Sequence, residues 1–424
     1  MVSGFILLQK NKEMDFRDYQ LDIIKKGSSI IKTKGFLYLA MEVRTGKTLT
    51  SLGILDKLKS KNVLFITKKK AISSIEDDYA LFNPSFELTV INYESLHKLP
   101  AWKLYDGVVI DEAHGLGKFP KPSKRAKDIK ELLRVNRNAS VILMSGTPTP
   151  ESYSQMYHQV YSLASNPFKT HRNFYSFSKK YVDVTQKKLS SLIVNDYSGG
   201  RIEIIDIMQP YTINYSQKQA GFITETTEEI LRVPMHPNTI DIAKKLKKNL
   251  VVEGKDEVIL ADSSVKLMMK LHQIYSGTVK FESGNSMVID YEKAKFIKSH
   301  FKNKKIAIFY KFREELNAIK HVFGKDVCVD LECFNTTDKI IALQIVSGRE
   351  GISLRNAEAL VYYNIDFSAT SYWQSRDRMT TKDRKYNKVY WIFSEKGIED
   401  KIYKAVLKKK DYTLSHFKRD LLDL

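Results

Sequence analysis

The first half of the chain repeats one pattern: a short run of aliphatic and β-branched residues, a polar stretch able to form a helix, then another apolar run. Phe36 to Ala40, Val63 to Thr67, Val108 to Asp111 and Val141 to Ser145 are such runs, each long enough for a buried strand. Strands alternating with helices predict a mainly parallel sheet covered on both faces. The rhythm returns at Ile306 to Tyr310, Val327 to Asp330, Ile340 to Val346, Ala359 to Asn364 and Val389 to Phe393. The expected fold class is therefore α/β, with two lobes built on parallel sheets and helical elements between them. From about Glu151 to Ser286 the spacing turns helical and aromatic, and Asp241 to Val252 and Ser264 to Tyr275 read as helices. Ser191 to Asp196 and Arg201 to Ile207 flank Tyr197-Ser198-Gly199-Gly200, which predicts a β-hairpin because glycine takes positive φ without steric cost. Pro234 and Pro237 interrupt regular structure and give an expected division into 1–230 and 231–424.

Composition narrows the partners. The chain has 424 residues, 43% of them hydrophobic, and a formal charge of +20, an excess that suits a polyanion such as nucleic acid or an anionic membrane. No run approaches the roughly 18 apolar residues of a membrane span, and Gly4 to Leu8 is too short for a signal-peptide core. The expectation is a protein that neither spans a membrane nor is exported. Cys328 and Cys333 are the only two cysteines, too few for a zinc site or a disulfide framework. Ordinary thiols in a reducing cytoplasm follow.

Candidate chemistry begins after the first apolar run. Met41-Glu42-Val43-Arg44-Thr45-Gly46-Lys47-Thr48 precedes an apolar pattern that predicts a helix. A strand feeding a turn that opens a helix presents backbone N–H groups and the positive helix end to phosphate; Lys47 can reach the β and γ phosphates and Thr48 can ligate magnesium. Met41 stands where the strict phosphate-loop pattern has its first glycine, and a G-K-T tripeptide also arises by chance. Val108-Val109-Ile110-Asp111-Glu112-Ala113-His114 narrows the choice. It is a buried strand ending in two carboxylates, of which Asp111 can hold magnesium and Glu112 can polarise the attacking water. ATP and Mg2+ are the expected cofactors; His114 has no assignable chemistry from its type alone.

The Asp-Glu-Ala-His run, with G-K-T upstream and Ser145-Gly146-Thr147-Pro148 downstream, resembles motifs I, II and III of superfamily 2 helicases. The finer resemblance is to the Swi/Snf-type translocases on double-stranded DNA, whose phosphate loop follows L-A-D-E-M-G-L-G-K-T; here the row is Leu39-Ala40-Met41-Glu42-Val43-Arg44-Thr45-Gly46-Lys47-Thr48. Phe16-Arg17-Asp18-Tyr19-Gln20 resembles that family's L-R-x-Y-Q motif, implying that Gln20 reads the adenine edge and that Arg17 belongs to the nucleotide site with Thr45, Gly46, Lys47, Thr48 and Gly351. Ile66 to Ile75, Val90 to Leu96, Lys305 to Phe312, Ser347 to Leu354 with its sequel to Asp366, and Trp373 to Arg378 resemble the remaining motifs. The resemblance implies two RecA-like lobes that hydrolyse ATP in the cleft between them and move along DNA. By the family's habit, it also implies a phage- or virus-encoded enzyme in the host cytoplasm.

Motif VI departs from the family. Its pattern Q-x-x-x-R-x-x-R matches Gln374 and Arg378 but puts Thr381 at the second arginine; Arg384 by a small loop shift, Lys382 or Arg376 could substitute. An arginine reaching the γ-phosphate is worth about 10³ to 10⁵ in rate in related systems. The resemblance places track contacts at Thr67 and Lys68, Thr147 and Thr149, Lys311 and Arg313, and Ser347 and Arg349, residue types that bind phosphate without reading bases. Two other functions stay open. A strand-separating helicase would use the Gly199-Gly200 hairpin as a wedge, and a binding platform with an impaired ATPase would explain Thr381.

Overall fold

The computed structural model describes residues 16–100, 102–189, 192–348, 352–381 and 383–407. The chain divides between Ala220 and Gly221 into two units. In the first, strands β1 (Phe36–Met41), β2 (Asn62–Thr67), β3 (Glu87–Asn92), β4 (Gly107–Ile110), β5 (Ser140–Met144) and β8 (Thr212–Tyr215) form one sheet, while β6 (Thr185–Leu189) and β7 (Leu192–Asp196) form a separate ribbon. The sheet has six strands in the order β3-β2-β4-β5-β1-β8, all parallel. Its central strands are buried on both faces, as in Phe36 to Leu39 and Val108 to Ile110, all 0% exposed. That double burial is why they read as unbroken apolar runs rather than alternating ones.

Helix Asp18–Lys34 covers one face through Ile23, Ile24 and Ile31 and stops at Gly35, whose left-handed φ of 88° lets its N–H cap the Ile31 carbonyl. Gly27 lets it lie close: a Cβ there would stand 2.8 Å from side-chain atoms of Ile54 and Leu37.

The second unit contains β9 (Glu225–Val233), the short pairs β10 (Val251–Glu253) with β11 (Val258–Leu260) and β12 (Thr278–Lys280) with β13 (Ser286–Val288), then β14 (Ile306–Tyr310), β15 (Val327–Cys328), β16 (Ile340–Gln344), β17 (Ala359–Tyr362) and β18 (Tyr386–Ser394). Its main sheet is again six parallel strands, in the order β15-β16-β14-β17-β18-β9. Tyr362 stacks on Trp391 at 3.8 Å and Tyr372 on Trp391 at 5.4 Å, forming the aromatic centre of this core. Two RecA-like lobes are the architecture.

Three expectations change. The boundary at 230/231 falls inside β9, because the segment expected to lie between the lobes gives an edge strand to each sheet, β8 to the first and β9 to the second. Asp241 to Val252 is a helix displaced toward Pro237–Asn249, since Pro237 suits a first helical turn, where its missing N–H costs nothing. Tyr197 to Gly200 is not a hairpin turn: β7 pairs with β6 before it, and Glu203–Met208 after it is a helix. Those glycines allow close backbone approach instead, a Cβ on Gly199 falling 2.4 Å from the Asp183 carbonyl oxygen and one on Gly200 2.5 Å from the Ser154 nitrogen.

Candidate nucleotide site and motif geometry

The phosphate loop leaves β1 and enters helix Lys47–Lys57 through Gly46, which has a left-handed φ of 77°. Arg44 also takes a left-handed φ, 64°, at the position where the Swi/Snf-type pattern has glycine; a non-glycine residue held there is strained. The Lys47 ammonium donates to the carbonyls of Met41 at 2.9 Å and Glu42 at 3.0 Å. The loop is braced from outside. Tyr19 donates to the Thr45 carbonyl at 3.1 Å, and Gln20 donates to the Gly46 carbonyl at 3.3 Å and the Thr50 hydroxyl at 3.2 Å.

Gln20 is only 4% exposed, and its side-chain oxygen accepts the Arg17 N–H. In this structure Gln20 braces the loop that it was expected to join in the nucleotide site. Arg17 is exposed and donates to the Tyr19 hydroxyl at 2.9 Å. Thr45 is fully buried with its hydroxyl on the Glu42 carbonyl, so only its backbone can serve a nucleotide.

The acid pair follows β4. Thr67 donates to Asp111 Oδ2 at 2.8 Å, and the Tyr93 hydroxyl donates to the Asp111 carbonyl. Burial, reinforced by the neighbouring Glu112 charge, raises the Asp111 carboxyl to about 6; the Thr67 hydrogen bond and the Lys47 charge oppose the rise. A carboxyl raised in this way fits a divalent cation, and Thr48, the other expected ligand, is half-buried. Thr67, expected as a track contact, is 0% exposed and its hydroxyl is engaged by the acid.

Glu112 turns through a left-handed φ of 50°, which aims its carboxylate at His114, 3.2 Å from Nδ1. His114 Nδ1 also lies 2.9 Å from the Ser145 hydroxyl, and the Thr147 N–H donates to that hydroxyl at 3.1 Å. A chain of contacts therefore links the second acid to the Ser-Gly-Thr-Pro motif. Gly146 packs against the phosphate loop, a Cβ there standing 3.5 Å from the Met41 carbonyl oxygen and 3.8 Å from Lys47 Nζ. Residue type left His114 unassigned, and only the fold shows its place. Tyr93 likewise carried no sequence signal for its bond to Asp111. Thr147 and Thr149 are half-buried, and Lys68 is half-buried at the start of a helical turn, Lys69–Ala71.

In the second lobe, Lys311 pairs with Asp366 at 2.7 Å, both side chains largely buried, and its ammonium lies 3.9 Å from the Phe367 ring centre. Burial alone would raise the Asp366 carboxyl, but Lys311 and the Ser371 hydroxyl overcome it and hold it below the usual range. Lys311, expected as a track contact, is here the partner of an internal ion pair. Arg313 is exposed at the start of helix Arg313–Phe323. Ser347 lies in the helical turn Ile345–Gly348, while Arg349, Gly351 and Lys382 lie outside the described residues.

Motif VI occupies helix Ala369–Ser375 and the turn Arg376–Met379. Arg378 is 8% exposed and its Nε donates to the Gln374 carbonyl at 2.9 Å. Arg376 pairs with Glu228 at 3.0 Å. Arg384 donates to the carbonyls of Ala357 at 2.8 Å, Glu358 at 3.1 Å, Tyr386 at 3.1 Å and Arg355 at 3.2 Å. A guanidinium used on four carbonyls is a clasp between loops. Arg384, expected as a candidate catalytic arginine, is held here by these carbonyls, and Arg378 by the Gln374 carbonyl.

Among known proteins, the SNF2-related domain family matches residues 61–278. The family described as Type III restriction enzyme, res subunit, matches residues 13–98. No match is found among curated proteins. One solved structure, the Sulfolobus solfataricus SWI2/SNF2 ATPase core domain, is similar at 16% identity with a TM-score of 0.42, over 96% of this chain and 91% of that one. With its family match spanning both the acid pair and the Ser-Gly-Thr-Pro motif, and its phosphate loop and acids built as above, this chain belongs to the SNF2-related family of superfamily 2, the nucleic-acid-dependent ATPases.

Proposed function

We propose that the protein is an ATP-driven translocase on double-stranded DNA. The observation that carries this is the convergence of Lys47, the Asp111–Glu112 pair and Gly146 around one phosphate loop, in a chain with a net charge of +20. Lys47 would leave the carbonyls of Met41 and Glu42 for the β and γ phosphates, which offer it stronger charge. Thr48 and Asp111 would hold Mg2+, and the ion, when bound, neutralises charge developing on the phosphates. Thr67 orients Asp111 for that contact. Glu112 would polarise the attacking water, and its contact with His114 ties that step to Ser145 and Thr147. Arg378 would approach the γ-phosphate from the second lobe, so that nucleotide favours closure and hydrolysis releases it.

Lys68 and Thr149 on the first lobe and Arg313 on the second are exposed or half-buried, which supports them as track contacts. They would grip phosphates without reading sequence. Displacement of a triplex-forming strand from duplex DNA tests the proposal: ATP-dependent displacement, lost in Lys47→Ala, is expected, and displacement independent of ATP or of Lys47 would contradict it.

Two further readings each have an observation behind them. The β6–β7 ribbon pairs with no other strand among those described and exposes Ile193 and Val194; a strand-separating wedge would sit there, and would reveal itself by opening forked DNA. The commitment of Arg384 to carbonyls leaves Thr381 uncompensated by it, as an ATPase-impaired platform would require.

A further inference from the structure

We infer that Gln217 is a positioning residue for the phosphate loop, acting through the Val43 peptide. The inference rests on the nucleotide-binding part of the proposed function. In a trans peptide the C=O and the following N–H point in opposite directions. Whatever holds a carbonyl outward therefore turns the next N–H inward. Three such carbonyls in the loop are held by side chains: Val43 by Gln217 Nε2 at 3.0 Å, Thr45 by the Tyr19 hydroxyl at 3.1 Å and Gly46 by Gln20 Nε2 at 3.3 Å. The N–H groups of Arg44, Gly46 and Lys47 are thereby each turned away from the braced carbonyl, and N–H groups gathered so would make an anion cradle.

Tyr19 and Gln20 come from the motif that precedes the loop, but Gln217 comes from far along the chain. It follows β8, whose Tyr215 carbonyl accepts the Glu42 N–H at 2.9 Å and whose ring stacks on Tyr19 at 4.7 Å. The Gln217 N–H donates to the Glu42 carboxylate at 2.7 Å, a charge-assisted bond that fixes this segment to the loop a second time. Gln217 lies just before the division at Ala220 and Gly221. The peptide that orients the Arg44 N–H is thus held by the stretch of chain that continues into the second lobe.

The test uses the full chain, with Gln217→Ala and the isosteric Gln217→Glu, which lacks the donating amide, beside Lys218→Ala as an exposed neighbour. Steady-state hydrolysis gives KM and kcat, titration with a fluorescent MgATP analogue gives Kd, and thermal melting checks the fold. Loss of the side-chain hydrogen bond should raise KM and Kd about three- to tenfold in both Gln217 variants, with kcat at saturating ATP within about twofold. Melting and the Lys218→Ala constants should not move. If wild type binds the analogue in a Lys47-dependent way and both Gln217 variants bind it equally well, this inference is overturned alone. If the affinity loss follows a fall in melting temperature, Gln217 is structural and the inference also fails. If wild type itself shows no Lys47-dependent binding, the nucleotide reading falls and takes this inference with it.

Discussion

Arg378 and Arg384 look interchangeable as letters, and only their surroundings separate them. Arg384 is engaged by four carbonyls, so Arg384→Ala should destabilise the second lobe by about 2 to 3 kcal/mol through unsatisfied carbonyls. Its hydrolysis, assayed at a temperature where it is folded, should stay within a few-fold of wild type. Arg378→Ala should bind nucleotide normally and lose about 10³ or more in rate. Stopped hydrolysis in a fully folded Arg384→Ala would reverse the assignment. His158 offers a separate check on the first lobe. It is 3% exposed among aromatic rings, and burial lowers its imidazole to about 4 despite its bond to the Lys118 carbonyl. The folded state keeps it neutral while the unfolded chain protonates near 6.5, so stability is lost as pH falls from about 6.5 toward 4, by about 3 kcal/mol at most. Denaturation of His158→Gln at pH 7 and 4.5 should show a smaller pH effect than wild type; an equal effect would place the acid sensitivity elsewhere.

At the scale of elements, the double burial of β1, β2, β4 and β5 made them legible, since a strand covered on both faces is apolar without interruption. Edge strands lack that signature. β8 is short and half exposed, and β9 begins Glu225-Thr226-Thr227-Glu228-Glu229, yet it pairs along all nine residues of β18. The ribbon was misplaced for a related reason: Thr185-Gln186-Lys187-Lys188 has no apolar alternation to mark it, whereas Gly199-Gly200 resembles a turn and serves close packing. The phosphate loop and acid pair were visible as motifs. Their braces were not, because Gln217 meets Glu42 across most of a lobe's length. One element-level contact is a strong test of the second core: Lys293 from helix Glu292–His300 and Glu399 from helix Glu399–Leu407 pair at 2.8 Å with both side chains 0% exposed. Lys293→Met should cost about 3 to 5 kcal/mol by stranding the carboxylate, and adding Glu399→Leu should recover much of it. Chemical denaturation that finds the single variant no less stable than the double would contradict this.

For the whole molecule, two lobes, each built on a sheet of six parallel strands, with the proposed nucleotide residues on the first and the proposed motif VI arginine on the second, make a motor only if nucleic acid and ATP act on each other. A net charge of +20 predicts binding to DNA that weakens steeply with salt, as counterions displaced from the phosphates return. Salt sensitivity alone would suit a platform equally well. The direct measurement is steady-state ATP hydrolysis by the purified protein alone, with double-stranded DNA, with single-stranded DNA and with RNA, beside Lys47→Ala. Strong stimulation by duplex DNA, abolished in the Lys47 variant, is the predicted result. Hydrolysis no higher than that variant's on every nucleic acid, despite salt-sensitive binding, would contradict the motor and leave a basic platform.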